Sequence, residues 1–285
     1  MKKLLSVLKI AIILGIIINF TIKDIILLSA IIFYALPLPI LILLSFFLAL
    51  IEKKPTQKIA IIVALFLSVM WIKESYVNND HRVEKRGLQI VFWNAFHNKN
   101  FQEAFEANGS LPDVLVLVEG SKKNIKVIKE KYPNYYFHIS KEEIGVFSKT
   151  PIDVGQEIIG KDNSKLLDFK TNGLNFYVVD VSAGVFKSRQ KSLSFIGSNI
   201  FEKEKTIILG DFNTPYESIH FSSFKDNYAH AFSEKGSGFR ETWFWNIPLL
   251  SLDHIWVSKD LEINKVDKIN TFKSDHAMLR MLLNY

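Results

Sequence analysis

Hydrophobic and polar positions divide the chain at about residue 75. Before it, apolar residues run almost unbroken. Leu4 to Phe20 is interrupted only by Ser6, Lys9 and Asn19, and Ile25 to Ile51 is a 27-residue run without a charge that contains Pro37 and Pro39. About 20 apolar residues cross a bilayer core, and prolines are tolerated there, so both runs predict transmembrane helices, the second kinked at its prolines. No small-residue cleavage site separates them, which argues against a signal peptide. A third run, Ile59 to Ile72, has only 14 residues. It predicts either a short span lengthened by snorkelling Lys58 and Lys73 or a helix lying at the interface. Residues 1–75 are therefore read as a membrane region with two to three transmembrane helices, and residues 76–87 as a polar linker.

From Leu88 the pattern changes to short apolar blocks. Leu88–Trp93, Val114–Val118, Tyr135–Ser140, Ile144–Ser148, Gln156–Ile159, Lys165–Phe169, Leu174–Val181, Thr206–Leu209, Leu252–Val257, Val266–Phe272 and Met278–Leu283 predict strands. Asn172-Gly173 predicts a hairpin turn. Helices are predicted at Asn100–Ala107, stopped by Asn108-Gly109, at Ser121–Lys131 and at Ser188–Phe201. Strands with helices between them give an α/β domain over residues 88–285.

Charge sharpens this division. The chain carries a net +6, but residues 1–75 hold eight lysines against Asp24, Glu52 and Glu74, so +5 lies there and only +1 remains for the rest. A duplex-binding domain carries its basic surplus on the folded part, so nucleic acid is the less favoured partner. The basic residues sit at Lys2-Lys3 and in the Glu52–Lys58 loop, whereas Thr21–Asp24 is neutral. By the positive-inside rule, three spans place the domain outside the cytoplasm of a bacterial cell; two would leave it inside. The absence of cysteine excludes disulfides, thiolate metal sites and a cysteine nucleophile.

The candidate chemistry sits at strand ends. Asn94 ends Val91-Phe-Trp-Asn94, and Glu119 ends the buried Val114–Val118 strand. Gly210-Asp211-Phe-Asn213 ends Thr206–Leu209. Asp253 stands within Ser251–Trp256, and Lys273-Ser274-Asp275-His276 precedes the last strand. Alternation predicts that Asp211 and Asn213 face one ligand together. Each residue alone has a bland reading: an Asx turn for Asp211, a helix-entry charge for Glu119, a satisfied core ring for His276. Five polar strand ends in one α/β domain are harder to dismiss, because such sheets assemble their sites there.

In this order, Asn94, Glu119, Gly-Asp-Phe-Asn at 210–213, Asp253 and Ser-Asp-His at 274–276 resemble the successive motifs of the endonuclease/exonuclease/phosphatase superfamily. The resemblance covers residues 88–285 and extends to Gly236–Trp243 and Arg189-Gln190. It implies a four-layer α/β/β/α sandwich and metal-dependent phosphoester hydrolysis. It also implies a set of roles: Glu119 as ligand to Mg²⁺ (or Mn²⁺) with Asp275 as its partner; Asp211 and His276 as the two candidates for activating water; Asp253 hydrogen-bonding the His276 ring; Asn94 and Asn213 contacting phosphoryl oxygens or orienting Asp211; and Arg189 on the substrate side. The chain departs from the pattern at Ser182, where the family usually carries histidine; Lys187, Arg189 and His97 are the cations that could stand in. His254, on the opposite strand face from Asp253, reads as structural.

These features give three readings. The first is a membrane-tethered phosphatase or phosphodiesterase of the bacterial cytoplasmic membrane, its domain extracytoplasmic and its partners the lipid bilayer and a lipid-linked phosphoester. The second is a metal-dependent nuclease. The third is a binding protein on a decayed catalytic fold, which Ser182 alone supports. No protein partner is predicted.

Overall fold

The computed structural model describes residues 2–79, 87–184 and 186–284. Four helices open the chain: α1 (Lys2–Ile17, continued by a π-helical turn to Ile22), α2 (Leu27–Ala35), α3 (Leu38–Ile51) and α4 (Thr56–Ser75). Two features sharpen the expectation. The kink expected in the uncharged run of 25–51 is a break, with α2 and α3 bent by 65°. Pro37 is the cause, since it lacks an N–H and clashes with a preceding turn, while Pro39 is accommodated in the first turn of α3. Conversely, the 14-residue run grows into the 20-residue α4, because Gln57, Lys58, Lys73 and Glu74 favour helix although they are polar. By length and composition Lys3–Ile22 and α4 can each cross a membrane, and α2 with α3 makes a third crossing if read as one span.

The rest of the described chain is two six-stranded sheets packed face to face. The first contains β2 (Leu88–Asn94), β3 (Val114–Val118), β4 (Tyr136–Ile139), β5 (Gly145–Ser148), β13 (Glu262–Ile269) and β14 (Met278–Asn284), in the order β13-β14-β2-β3-β5-β4. The second contains β6 (Asp153–Ile159), β7 (Lys165–Thr171), β8 (Leu174–Asp180), β9 (Thr206–Asp211), β10 (Tyr228–His230) and β12 (Asp253–Ser258), in the order β10-β12-β9-β8-β7-β6. Alternation along each strand builds the core. Ile90, Phe92, Val116 and Val118 meet Phe176, Val178, Leu209 and Ile255 between the sheets. On the outer faces, α5 (Phe101–Asn108) and α6 (Ile125–Lys131) cover Val91, Trp93 and Leu115, while α7 (Arg189–Ser198) and α8 (Ser222–Asn227) cover Tyr177, Ile208 and Trp256. This is the expected four-layer sandwich.

Local signals behave as their chemistry requires. Asn100 caps α5 in a capping box with Glu103, and Gly109 ends it at φ +77°. Asn172 and Gly173 both take positive φ, the two-residue hairpin geometry joining β7 to β8. Ser121 does not cap its helix; α6 begins later, at Ile125. The strand expected at 266–272 is shifted to Glu262–Ile269.

The junction between helices and sandwich is structured. Tyr76–Asn78, inside the expected linker, forms β1 and pairs with β11 (Ser237–Phe239); residues 80–86 of that linker lie outside the described residues. The Trp71 ring stacks on Phe239 at 4.3 Å and its Nε1–H donates to Glu241. The Asp24 carboxylate accepts from the Ser218 hydroxyl and the Ile219 N–H.

Candidate active site

Strand register assembles a row of charge that no single segment shows. In the second sheet Lys165, Asp180, Asp211 and Asp253 are successive cross-strand partners on β7, β8, β9 and β12. Residues directly opposite share a face, and this face looks between the sheets. Gly210 permits the closeness of β8 and β9: a Cβ there would lie 1.9 Å from the Val179 carbonyl oxygen. Three buried carboxylates side by side repel one another and need compensation. Lys165 supplies it at one end, 2.8 Å from Asp180, and His276 at the other, its Nδ1 2.7 Å from Asp253 Oδ2.

Asn94, at the end of β2, comes from the facing sheet. Its amide N–H donates to Asp211 Oδ2 at 3.0 Å, its carbonyl accepts from the Phe96 N–H, and the Ser274 hydroxyl holds its backbone carbonyl. The Asn213 backbone N–H donates to Asp211 Oδ1 at 2.8 Å. Its side chain does not join Asp211 at a shared ligand face as alternation predicted. At Asn213 φ is +45°, and its amide donates to the Val181 carbonyl at 2.8 Å. Both oxygens of Asp211 are thus fixed by donors.

The charge states follow from these neighbours. Burial pushes the Asp211 carboxyl up to about 8; His276 opposes this, and Asp253 and Asp180 add to it. Burial opposes charge on the His276 ring, but the carboxylates of Asp253 and Asp211 outweigh it and push the ring up to about 10. His276 is therefore an imidazolium at neutral pH. Its Nε2 lies 3.9 Å from Asp211 Oδ2, beyond hydrogen-bonding length.

Ligand atoms of Asp211, Asp253 and His276 all lie within 4.8 Å of one another, and Asp253 already holds one nitrogen of the ring. Glu119 is a second acidic candidate for a cation. It follows β3 at φ +51°, outside the strand geometry, and its carboxyl is pushed up by burial, with His97 opposing and Asp180 adding to the shift. It meets the His97 Nε2 at 3.1 Å, while Nδ1 of that ring reaches Glu143. A donor set of carboxylate oxygens suits a hard divalent cation.

Other expected residues are placed differently. Asp275 accepts from the Trp243 indole N–H at 3.0 Å, and no described short contact joins it to Glu119. Arg189 is buried and donates to the carbonyls of Ser182 and Gly184, with Tyr34 under its guanidinium. It clamps that segment. At Ser182 the cation is Lys187, whose ammonium donates to the serine hydroxyl and to the Asp162 carbonyl. Asp180 and Lys165 escaped the sequence reading. The Asn172-Gly173 turn was the available signal, because a two-residue hairpin pairing Thr171 with Leu174 also pairs Lys165 with Asp180.

Known structures share this architecture. D. rerio TDP2 complexed with single strand DNA product is 16% identical, with TM-score 0.52, over 70% of this chain and 100% of that one. An endonuclease/exonuclease/phosphatase family protein from Bacteroides thetaiotaomicron is also 16% identical, with TM-score 0.51, over 70% of this chain and 97% of that one. At this identity the likeness shows the fold. No curated protein sequence matches the chain. The sequence profile of the Endonuclease/Exonuclease/phosphatase family matches residues 91–276, from the middle of β2 through the histidine that Asp253 holds. That span is well over half of the sequence and contains every polar strand end described above, so the chain belongs to the endonuclease/exonuclease/phosphatase family.

Proposed function

We propose that this protein is a membrane-tethered, divalent-metal-dependent phosphoester hydrolase whose domain, residues 88–285, acts outside the cytoplasm on a lipid-linked phosphate. Members of the family are generally metal-dependent phosphoester hydrolases. The observation carrying this reading is the Asn94–Asp211–His276–Asp253 cluster, in a sandwich bonded directly to apolar helices.

Glu119 would hold Mg²⁺ or Mn²⁺, which when bound neutralises phosphoryl charge. His276, charged and oriented by Asp253, offers Nε2–H to a phosphoryl oxygen. With the ring protonated, Asp211 is left as the group that takes the proton of the attacking water; pushed up to about 8, its carboxyl is ionised in only a minor fraction at neutral pH, but that fraction is a strong base, its oxygens oriented by Asn94 and Asn213. Lys187 carries the positive charge beside Ser182, and Asp275 and Arg189 position loops around the site. With α2 and α3 taken as one span, three passes through a bilayer fit this orientation. Lys9 pairs with Glu52 toward one end of the helices, near the basic Glu52–Lys58 loop, while Lys23 and Ser75 meet the sandwich at the other.

The test uses full-length protein in nanodiscs with Mg²⁺ or Mn²⁺ and with EDTA. Phosphate release from polyprenyl and glycerolipid phosphates, abolished by EDTA and by Asp211→Asn, is the expected result. Nicking of plasmid DNA without lipid turnover would favour the nuclease reading, for which the structural neighbour holding a single-strand DNA product speaks. Silence against both substrate classes would favour the binding protein.

A further inference from the structure

Six large apolar side chains surround the candidate active site and remain in solvent. They are Phe96 (42% exposed), Phe186 (76%), Phe244 (37%), Trp245 (39%), Ile247 (56%) and Phe272 (74%). Each sits on a loop adjoining a site residue. Phe96 follows Asn94 and donates its N–H to that side chain. Phe186 precedes Lys187, which holds Ser182. Phe272 precedes Ser274 and His276. Phe244, Trp245 and Ile247 lie between Trp243 and Leu250, which bridge to each other, and Trp243 also bridges to His276. The Trp245 N–H donates to the Asp275 carbonyl, and its ring meets Phe96 edge-on at 6.0 Å. The loops thus form one collar at one end of both sheets. Exposed apolar clusters of this kind mark interaction surfaces.

The collar runs into the apolar helices. Phe186 shares a cavity of about 140 Å³ with Ile25, Ile26 and Leu27, which lead into α2. Those three residues are themselves 56%, 59% and 51% exposed, and α2 turns 65° away from α3 instead of continuing it. Tyr34 of α2 packs under Arg189, which clamps Ser182 to Gly184.

We infer that the collar is a bilayer-facing surface: it dips into the headgroup boundary of the membrane that holds the helices and seats the mouth of the site on lipid phosphates. Aromatic side chains favour that boundary. The inference rests on the tethered-hydrolase reading and deepens it by assigning the surface that meets the substrate. Aromatic loops could instead stack nucleic-acid bases. Continuity with α2, the aliphatic Ile247 and the net +1 on the chain beyond residue 75 favour lipid.

The chain has no cysteine, so single labels can be placed cleanly. Ile247→Cys, Phe272→Cys and Phe201→Cys would each carry an environment-sensitive fluorophore on the full-length protein in nanodiscs containing a nitroxide lipid. Phe201 is a matched control: it is 73% exposed and lies on the approach to the opposite end of β9. Quenching at 247 and 272 should exceed that at 201 by at least about twofold. Equal quenching at all three positions would overturn the inference. So would single-stranded DNA that shields 247 and 272 while nitroxide lipid leaves them bright. A parallel assay uses Ile247→Ser/Phe272→Ser: turnover of a lipid phosphate should fall about fivefold while turnover of a soluble phosphoester is unchanged. If the wild type hydrolyses nothing, the functional reading fails, yet the quenching ratio still decides the collar.

Discussion

Two buried histidines, one on β12 and one in the loop before β14, have opposite electrostatic fates. His276 faces Asp253 and Asp211 between the sheets and is pushed up to about 10. His254, the residue after Asp253, points to the outer face among Phe212, Phe221 and Trp256 and is pushed down to about 4, by burial above all. Its Nε2–H donates to the Thr214 carbonyl at 2.9 Å, so its Nδ1 must accept from the His230 Nε2–H at 3.0 Å. The His230 Nδ1 then accepts from the Ser233 N–H at 3.2 Å. This relay satisfies two neutral rings and leaves no use for a charge. Burial lowers the basicity of every imidazole, and only carboxylates within reach reverse it.

The contrast can be broken at several points. Asp211→Asn removes the proton acceptor while keeping shape, and steady-state assays should show a loss of about 10³-fold or more. Next in size is an effect of pH on stability. The unfolded chain protonates His254 near 6.5, but the folded ring resists until about 4. The contribution of this ring is therefore full above 6.5 and is lost as pH drops toward 4, by about 3 kcal/mol, with His230, also lowered, adding to the loss, while Asp211, pushed up to about 8, works in the opposite direction over the same range. The gap in thermal unfolding between the full-length protein and His254→Asn isolates the ring, and it should shrink from pH 7 to 4. Asp253→Asn should cost about 10²-fold in rate and let His276 titrate below its present value, as NMR of the ring would report. Smallest is Lys187→Ala, expected to cost about tenfold in kcat if its ammonium replaces the family histidine beside Ser182. An unchanged rate would leave Lys187 a structural tie to Asp162.

Much of the sandwich was readable because alternation and turn chemistry are local. The Val114–Val118 and Thr206–Leu209 runs are buried strands, and Asn172-Gly173 is a turn. The stretch between Pro215 and Ser251 was not readable. It folds into short helices and two three-residue strands, too brief for any periodicity to register. The membrane runs misled for a different reason. Hydropathy measures polarity and says little about where a helix stops, so it truncated α4 at its polar ends and did not show that the proline kink in the 25–51 run is a 65° break.

The sequence by itself determined the list of chemical groups, their order, and the faces of most strands that carry them. That Asp253 and His254 face opposite ways follows from alternation alone. Only the tertiary structure decided what those groups meet. Lys165, Asp180, Asp211 and Asp253 form a row through strand pairing, and His276 reaches Asp253 from the loop before β14. Glu119 and Asn213 left strand geometry at positive φ, so alternation could not place them. Charge states depend on distance and burial, which fall off within a few ångströms and are set by segments far apart in the chain. For that reason the sequence could separate His276 from His254 by role, but only the fold made one a cation and the other a neutral strut.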